Sequence, residues 1–153
     1  MIPVRLSHVA LDVADRERSV AFYRDLLGAE VVAEDVEHRL TFLRLPGSAA
    51  YSDIALHEHP DLGAAYPSGA MRMGLSGWEV DDAGALVAAF DFFTARTRVL
   101  LAADFGVAWS VIGMDPDGNA VELELTRVAP GSMAQPGFGP LDVEALRAEL
   151  VGV

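Results

Sequence analysis

Two stretches of this chain repeat one another at an offset of 67 residues, and that repeat limits the possible folds more than any other feature. It aligns Val13 with Val80, Asp15 with Asp82 and Tyr23 with Phe90, so the strand and the helix periodicities both occur twice in register. The first copy opens with "LSHVALDV" (6–13), a strand, and passes through "ADRERS", where Asp15 or Ser19 can cap a helix. Val20, Phe22, Tyr23, Leu26 and Leu27 then fall at helical spacing over 19–27, and Gly28 stands where a left-handed C-terminal residue is wanted. Strands follow at roughly 30–35, 38–45 and 52–58, with "PGS" (46–48) as a turn. The second copy has a strand at 73–82, a helix at 83–96 and strands at roughly 98–103, 107–114 and 119–126. Each copy is a βαβββ unit. The expected fold class is α+β, with two modules (about 4–60 and 71–127) forming one concave mixed sheet in a single domain, 1–127. A trough of that kind is a natural ligand site.

The chain has enough apolar material for this. Its 153 residues suit one compact domain, and 52% of them are hydrophobic. Eleven Lys and Arg against 23 Asp and Glu give a net charge of −12, which opposes binding to phosphate backbones and anionic lipid. Nucleic acid and membranes are therefore not expected as partners. With no cysteine there is no disulfide framework, thiolate nucleophile or Cys-ligated metal, so any metal falls to His and carboxylate. The start "MIPVRLSHVA" lacks a basic segment followed by an apolar one, and no run approaches membrane-span length. The chain reads as soluble, unexported and cytoplasmic.

The stretch "DPDGNAVELEL" (115–125) runs from a polar turn into a strand that places Ala120, Glu122 and Glu124 on one face and Val121, Leu123 and Leu125 on the other. Pro116, Asp117-Gly118 and Asn119 suit the reversal. A solvated sheet face is enough to explain the carboxylates. A partner residue elsewhere would give Glu122 a role, and the 67-residue offset supplies a candidate. It equates Ala55 with Glu122 and His8 with Leu75, and two-fold pairing of the units would bring these four together at the centre of the trough. His8 is then the candidate partner of Glu122, through a direct hydrogen bond or ion pair, or through a shared metal.

"HVALDVADRERSVAFYRDLLG" together with "DPDGNAVELEL" resembles the vicinal oxygen chelate superfamily, which groups glyoxalase I, bleomycin and fosfomycin resistance proteins and extradiol ring-cleavage dioxygenases. The resemblance covers about residues 4–127, and "SDIALHEHP" and "DFGVAWSVIGMDPDGNAVEL" are similar to the fourth strand and last hairpin of the extradiol branch. It implies a divalent metal at the four equivalent positions, held in that branch by two histidines and one glutamate with open sites. His8 and Glu122 match the pattern. The second histidine falls on Leu75, the fourth-strand carboxylate of the glyoxalases falls on Ala55, and Phe105 stands where the extradiol branch has an active-site histidine. The centre is thus incomplete, and the cofactor expectation is none, or a weakly bound divalent Fe, Mn, Zn or Ni. His57, two residues from Ala55 on the same face, is a speculative third ligand. Otherwise His57 and His59 read as a solvated strand end and His38 as a hairpin polar residue.

Leu75, Trp78, Phe105 and Trp109, with Ala55 and His57, are the expected ligand-binding positions, although aromatics in strands also serve as core. An apolar pocket with one His and one Glu suits a small apolar or aromatic molecule. The favoured expectation is a small-molecule-binding protein. The alternative is a divalent-metal-dependent enzyme, an extradiol-type dioxygenase or a glyoxalase-like lyase or isomerase, with His8 and Glu122 as its catalytic residues. A metal-free route would use Glu122 as general base oriented by His8. Whether the chain is an enzyme stays open at this stage. Residues 128–153 read as loop plus a C-terminal helix, "PLDVEALRAELV", with Val143, Leu146 and Leu150 on one stripe and Asp142 near its start. That helix would cover its own domain, the sheet or a partner subunit, and the resemblance implies a homodimer.

Overall fold

In the computed structural model, which describes residues 6–62 and 74–151, the chain divides into two units, Met1–Arg72 and Met73–Val153. The first runs β1 (Val9–Val13), α1 (Arg16–Leu27), β2 (Glu30–Asp35), β3 (Leu40–Arg44) and β4 (Ile54–Glu58). Its helix begins three residues earlier than its apolar stripe because Asp15, not Ser19, is the cap. The Asp15 carboxylate accepts the Arg18 N–H at 2.9 Å, and Ser19 lies buried inside the helix. At the other end Gly28 takes φ 67 and donates to the Arg24 carbonyl at 2.9 Å, as a left-handed glycine cap does.

The second unit repeats the order with β5 (Ser76–Glu79), α2 (Ala83–Arg96), β6 (Val99–Asp104), β7 (Ala108–Met114) and β8 (Ala120–Thr126), and adds β9 (Gly139–Pro140) and α3 (Val143–Val151). Asp82 caps α2 by accepting the Ala85 N–H at 2.9 Å, one repeat after Asp15. The fold is α+β as expected, its strands forming a four-stranded mixed sheet ordered β1-β4-β3-β2 and a five-stranded one ordered β5-β8-β7-β6-β9. In each, the first strand runs parallel to the fourth and the remaining pairs are antiparallel. Ala10 faces Ala55 and Gly77 faces Glu122, so the 67-residue offset holds across both parallel ladders. A β-bulge between Val31 and Ala33 recurs between Val99 and Leu101.

Alternation gives each sheet one helix-covered face. In the first unit Val13, Leu43, Ile54 and Leu56 are fully buried with Tyr23 of α1. In the second, Val111 and Val121 are fully buried with Leu86 and Phe93 of α2. Gly113 belongs to this face because Phe93 lies flat where its side chain would be. The C-terminal helix packs on α2 of its own unit. Val143 and Leu146 join Val87, Asp142 caps α3 through the Ala145 N–H at 2.9 Å, and Arg147 forks onto Asp91 at 2.7 and 2.8 Å. Those charge-assisted bonds hold the Asp91 carboxyl below its ordinary range. Among the described residues, no helix is long and apolar enough to cross a membrane.

The turn before β8 is organised by Asp115, which is only 2% exposed. Its carboxylate accepts the N–H groups of Asp117 and Asn119 at 2.9 and 2.8 Å and the Asn119 side-chain amide at 2.8 Å. Gly118 supplies the one left-handed residue, with φ 84.

Gly113 yields a direct test of this packing. A methyl group there overlaps the Phe93 ring. Gly113→Ala is therefore expected to lower stability by about 1–3 kcal/mol. Urea unfolding checks it, and a stability equal to wild type would mean that Phe93 does not seat against this strand.

Candidate functional site

The face of each sheet opposite its helix carries the polar residues. In the second unit β8 presents Ala120, Glu122 and Glu124 on this face, and the cross-strand register surrounds them. Glu122 lies between Gly77 of β5 and Ile112 of β7, and Glu124 lies between Glu79 and Ser110. Leu75 reaches the same place from just before β5. A side chain added at Gly77 would meet the Glu122 Oε2 at 3.5 Å and the Leu75 Cδ1 at 3.9 Å. Glu122 is half-buried, in a setting of Leu75, Gly77, Ile112 and Ala120. Partial burial, then the neighbouring charges of Glu122 and Glu79, push the Glu124 carboxyl above its ordinary value. Ser110 is fully buried, and its Oγ has no hydrogen-bond partner among the described residues.

In the first unit the equivalent face carries Ala10 and Asp12 on β1 and Ala55 and His57 on β4, with His8 just ahead of β1. His8 is exposed and its Nδ1 lies 3.3 Å from the Ser7 hydroxyl. Ala55, 4% exposed, sits between Ala10 and Phe42. His57 stands opposite Asp12 and beside His59. The His59 Nε2 lies 2.9 Å from the His57 Nδ1 and 3.1 Å from the Asp12 Oδ1, and the His57 Nδ1 lies 3.6 Å from that same oxygen. These three side chains form a group able to hold a metal ion. His38 is paired with Asp35 in the β2–β3 turn at 2.9 Å.

His8, Ala55 and His57 belong to the first unit, and Leu75 and Glu122 to the second. Of the four aromatic and aliphatic candidates only Leu75 shares a face with Glu122 among the paired strands. Trp78 is in register with Leu123, on the helix-covered face, and donates its indole N–H to the Ser76 hydroxyl at 3.1 Å. Trp109 is in register with Leu125 on that same face. It packs against Val87, Val143 and Leu146, donates to Asp104 at 3.0 Å, and carries the Arg127 guanidinium 4.1 Å from its ring centre. The Gly106 N–H, followed by this indole, holds the Asp104 carboxyl below its usual value. Phe105 lies in the β6–β7 turn, its ring 5.9 Å from that of Phe138 and its carbonyl accepting the Gly137 N–H at 2.7 Å. Gly77, Ile112 and Ser110, which line the Glu122 face, were not among the expected residues. Only the cross-strand register reveals them.

The donor set does not fit a metal at the superfamily's four positions. Ala55 offers a methyl group, and Leu75 puts hydrocarbon where a ligand would stand beside Glu122. Two protein donors, His8 and Glu122, fall short of the three that a catalytic divalent site uses.

Comparison with known proteins bears on most of the chain. The sequence model of the glyoxalase/bleomycin resistance protein/dioxygenase superfamily matches residues 5–123. Among solved structures, a lactoylglutathione lyase from Agrobacterium tumefaciens is 24% identical, with 80% of this chain and 94% of that one covered and a TM-score of 0.60. A glyoxalase/dioxygenase from Nostoc punctiforme is 17% identical (81% and 92% covered, TM-score 0.63). The fosfomycin resistance protein FosX from Listeria monocytogenes is 16% identical (82% and 94% covered, TM-score 0.64). At these identities the likeness is one of fold. No curated protein matches the sequence.

The acidic face makes a prediction about stability. A carboxyl whose folded pKa is raised contributes stability below its unfolded pKa and loses it as pH rises through the folded value. Glu124 is therefore a net cost at neutral pH. Glu124→Gln is expected to raise the melting temperature at pH 7, with the gain shrinking as pH falls into the carboxylate range. A gain that grows on acidification would refute this account.

Proposed function

Because the chain belongs to the glyoxalase/bleomycin resistance protein/dioxygenase superfamily, we propose that it binds a small apolar or aromatic molecule on the open face around Leu75 and Glu122. The observation that carries this reading is that the Leu75 methyl group and the Glu122 carboxylate both border the space over Gly77, with Leu75 standing where the superfamily resemblance implies a second metal ligand. Hydrocarbon there removes a donor and adds apolar contact surface. Ile112 and Ala120 extend that surface on neighbouring strand positions. The Glu122 and Glu124 carboxylates supply polar groups for a ligand edge, the usual make-up of a small-molecule site. A homodimer and a cytoplasmic location belong to the same proposal, on the resemblance for the first and the lack of cysteine for the second.

Metal-dependent ring cleavage or isomerisation through His8 and Glu122 is the competing reading, and the donor set does not favour it. One series of measurements separates the two. In chelator-treated buffer, compounds such as naphthols and catechols should raise the melting temperature. A ligand at about a hundred times its Kd adds about 2.7 kcal/mol, or roughly 5–10 °C for a chain of this size. Leu75→Asp, at a position 39% exposed and so tolerant of the change, should abolish the shift. Glu122→Gln should alter it only modestly, because the amide keeps the shape. Fe(II)-dependent turnover of a catechol that disappears in Glu122→Gln would instead establish the dioxygenase reading.

A further inference from the structure

The proposed ligand face lies in the second unit and leaves the Asp12, His57 and His59 group of the first unit without a role. We propose that these three side chains form a binding site for a borderline divalent cation of the Zn(II), Co(II) or Ni(II) class. This inference does not depend on the small-molecule reading, and its site is distinct from the His8 and Glu122 pair.

Three features of the geometry support it. The first is the triangle of donor atoms, with edges of 2.9, 3.1 and 3.6 Å between the His59 Nε2, the His57 Nδ1 and the Asp12 Oδ1. Bonds of about 2.0–2.2 Å to a tetrahedral zinc place its ligand atoms about 3.3–3.6 Å apart. Shifts of a few tenths of an ångström convert one triangle into the other.

The second is the rigidity of the scaffold. The parallel β1–β4 ladder fixes Asp12 opposite His57. The ladder continues past the strand end, where the His59 N–H donates to the Val13 carbonyl at 2.7 Å. The His59 carbonyl in turn accepts the N–H of Leu62, a residue only 5% exposed, at 2.9 Å. The two imidazoles meet edge to face with centroids 4.0 Å apart. Sites built on strands in this way hold their geometry better than sites on loops.

The third is donor chemistry. Each neutral imidazole can turn a ring lone pair toward a cation, and the carboxylate oxygen offers a third donor atom within 3.6 Å of both nitrogens. Two imidazoles with one carboxylate favour Zn(II), Co(II) or Ni(II) over Mg(II) or Ca(II), which prefer all-oxygen sets. Glu58 does not complete the set, because its Oε1 accepts the Arg16 N–H at 3.0 Å. The three side chains are 39%, 43% and 42% exposed, so the remaining coordination position opens to water or a small anionic ligand.

The test uses the full chain, freed of any affinity tag and stripped with chelator, titrated with Zn(II) by calorimetry and with Co(II) by visible absorption. One equivalent should bind, with Mg(II) giving no heat. His57→Ala and His59→Ala should each weaken binding by at least about tenfold, the scale on which even outer-shell changes act. His8→Ala and Glu122→Gln should leave it unchanged. His57→Gln, with its melting temperature and circular dichroism compared to wild type, guards against a folding defect. Zn(II) binding no tighter than about 1 mM would overturn the proposal. So would binding that survives the His57 and His59 changes, or binding lost on changing His8 or Glu122. Because the thermal-shift experiment with aromatic ligands is run in chelator, failure of one proposal leaves the other standing.

Discussion

Parallel pairing between the first and fourth strands of each unit is the constraint on which the rest of the molecule depends. Val9 is paired with Ile54 and Ser76 with Val121, each 45 residues apart in sequence. Parallel neighbours cannot be joined by a tight turn and need a crossover. Here the helix and an antiparallel hairpin supply it. The loop-closure entropy is met by burying Ile54 and Leu56 in one unit and Val121 and Leu123 in the other, on the helix-covered faces. Once these faces are committed, alternation leaves 55 and 57, and 122 and 124, on the opposite side. The chemistry of the chain is written there.

That commitment explains Glu122. It is neither a core residue in need of a buried partner nor a fully solvated one. It stands in register with a glycine and an isoleucine, with the Leu75 side chain nearby. The absence of a side chain at Gly77 gives the carboxylate room. Two strand positions further on, Glu124 has another acid for a neighbour instead of a glycine, and partial burial, then the charges of Glu122 and Glu79, push its carboxyl upward.

Elements that rest on local pattern were legible in the sequence. The left-handed Gly28, the helix 83–96 and the strands around 30–35 and 119–126 all come from short-range periodicity and turn chemistry, and they stand close to where that pattern puts them, while Asp15 is one of two cap candidates in the sequence and Asp82 reads there as the end of a strand. Features that need the register between strands were not legible. Trp78 and Trp109 are attractive as site aromatics until the ladder pairs them with Leu123 and Leu125 on the helix side. β9 is only Gly139 and Pro140, too short to alternate, and it exists because β6 offers an edge. Asp115 carries no local signal of its own, and its three accepted hydrogen bonds depend on the fold of the whole turn. His57 and His59 looked like a solvated strand end because Asp12, 45 residues before His57, becomes their neighbour only through the parallel ladder.

The two units then offer a comparison within one chain. The 67-residue offset carries Asp12 to Glu79, His57 to Glu124 and His59 to Thr126, and both ladders are built on the same register. At one place an acid faces an imidazole, and at the other an acid faces an acid. In the second unit the pair repels, and burial combines with that repulsion to favour the protonated form of Glu124. In the first unit a nitrogen base stands where the second has a carboxylate, and His59 adds a second nitrogen 3.1 Å from the same Asp12 oxygen. Backbone geometry is common to both units, so the difference in what each can hold rests on the side chains alone.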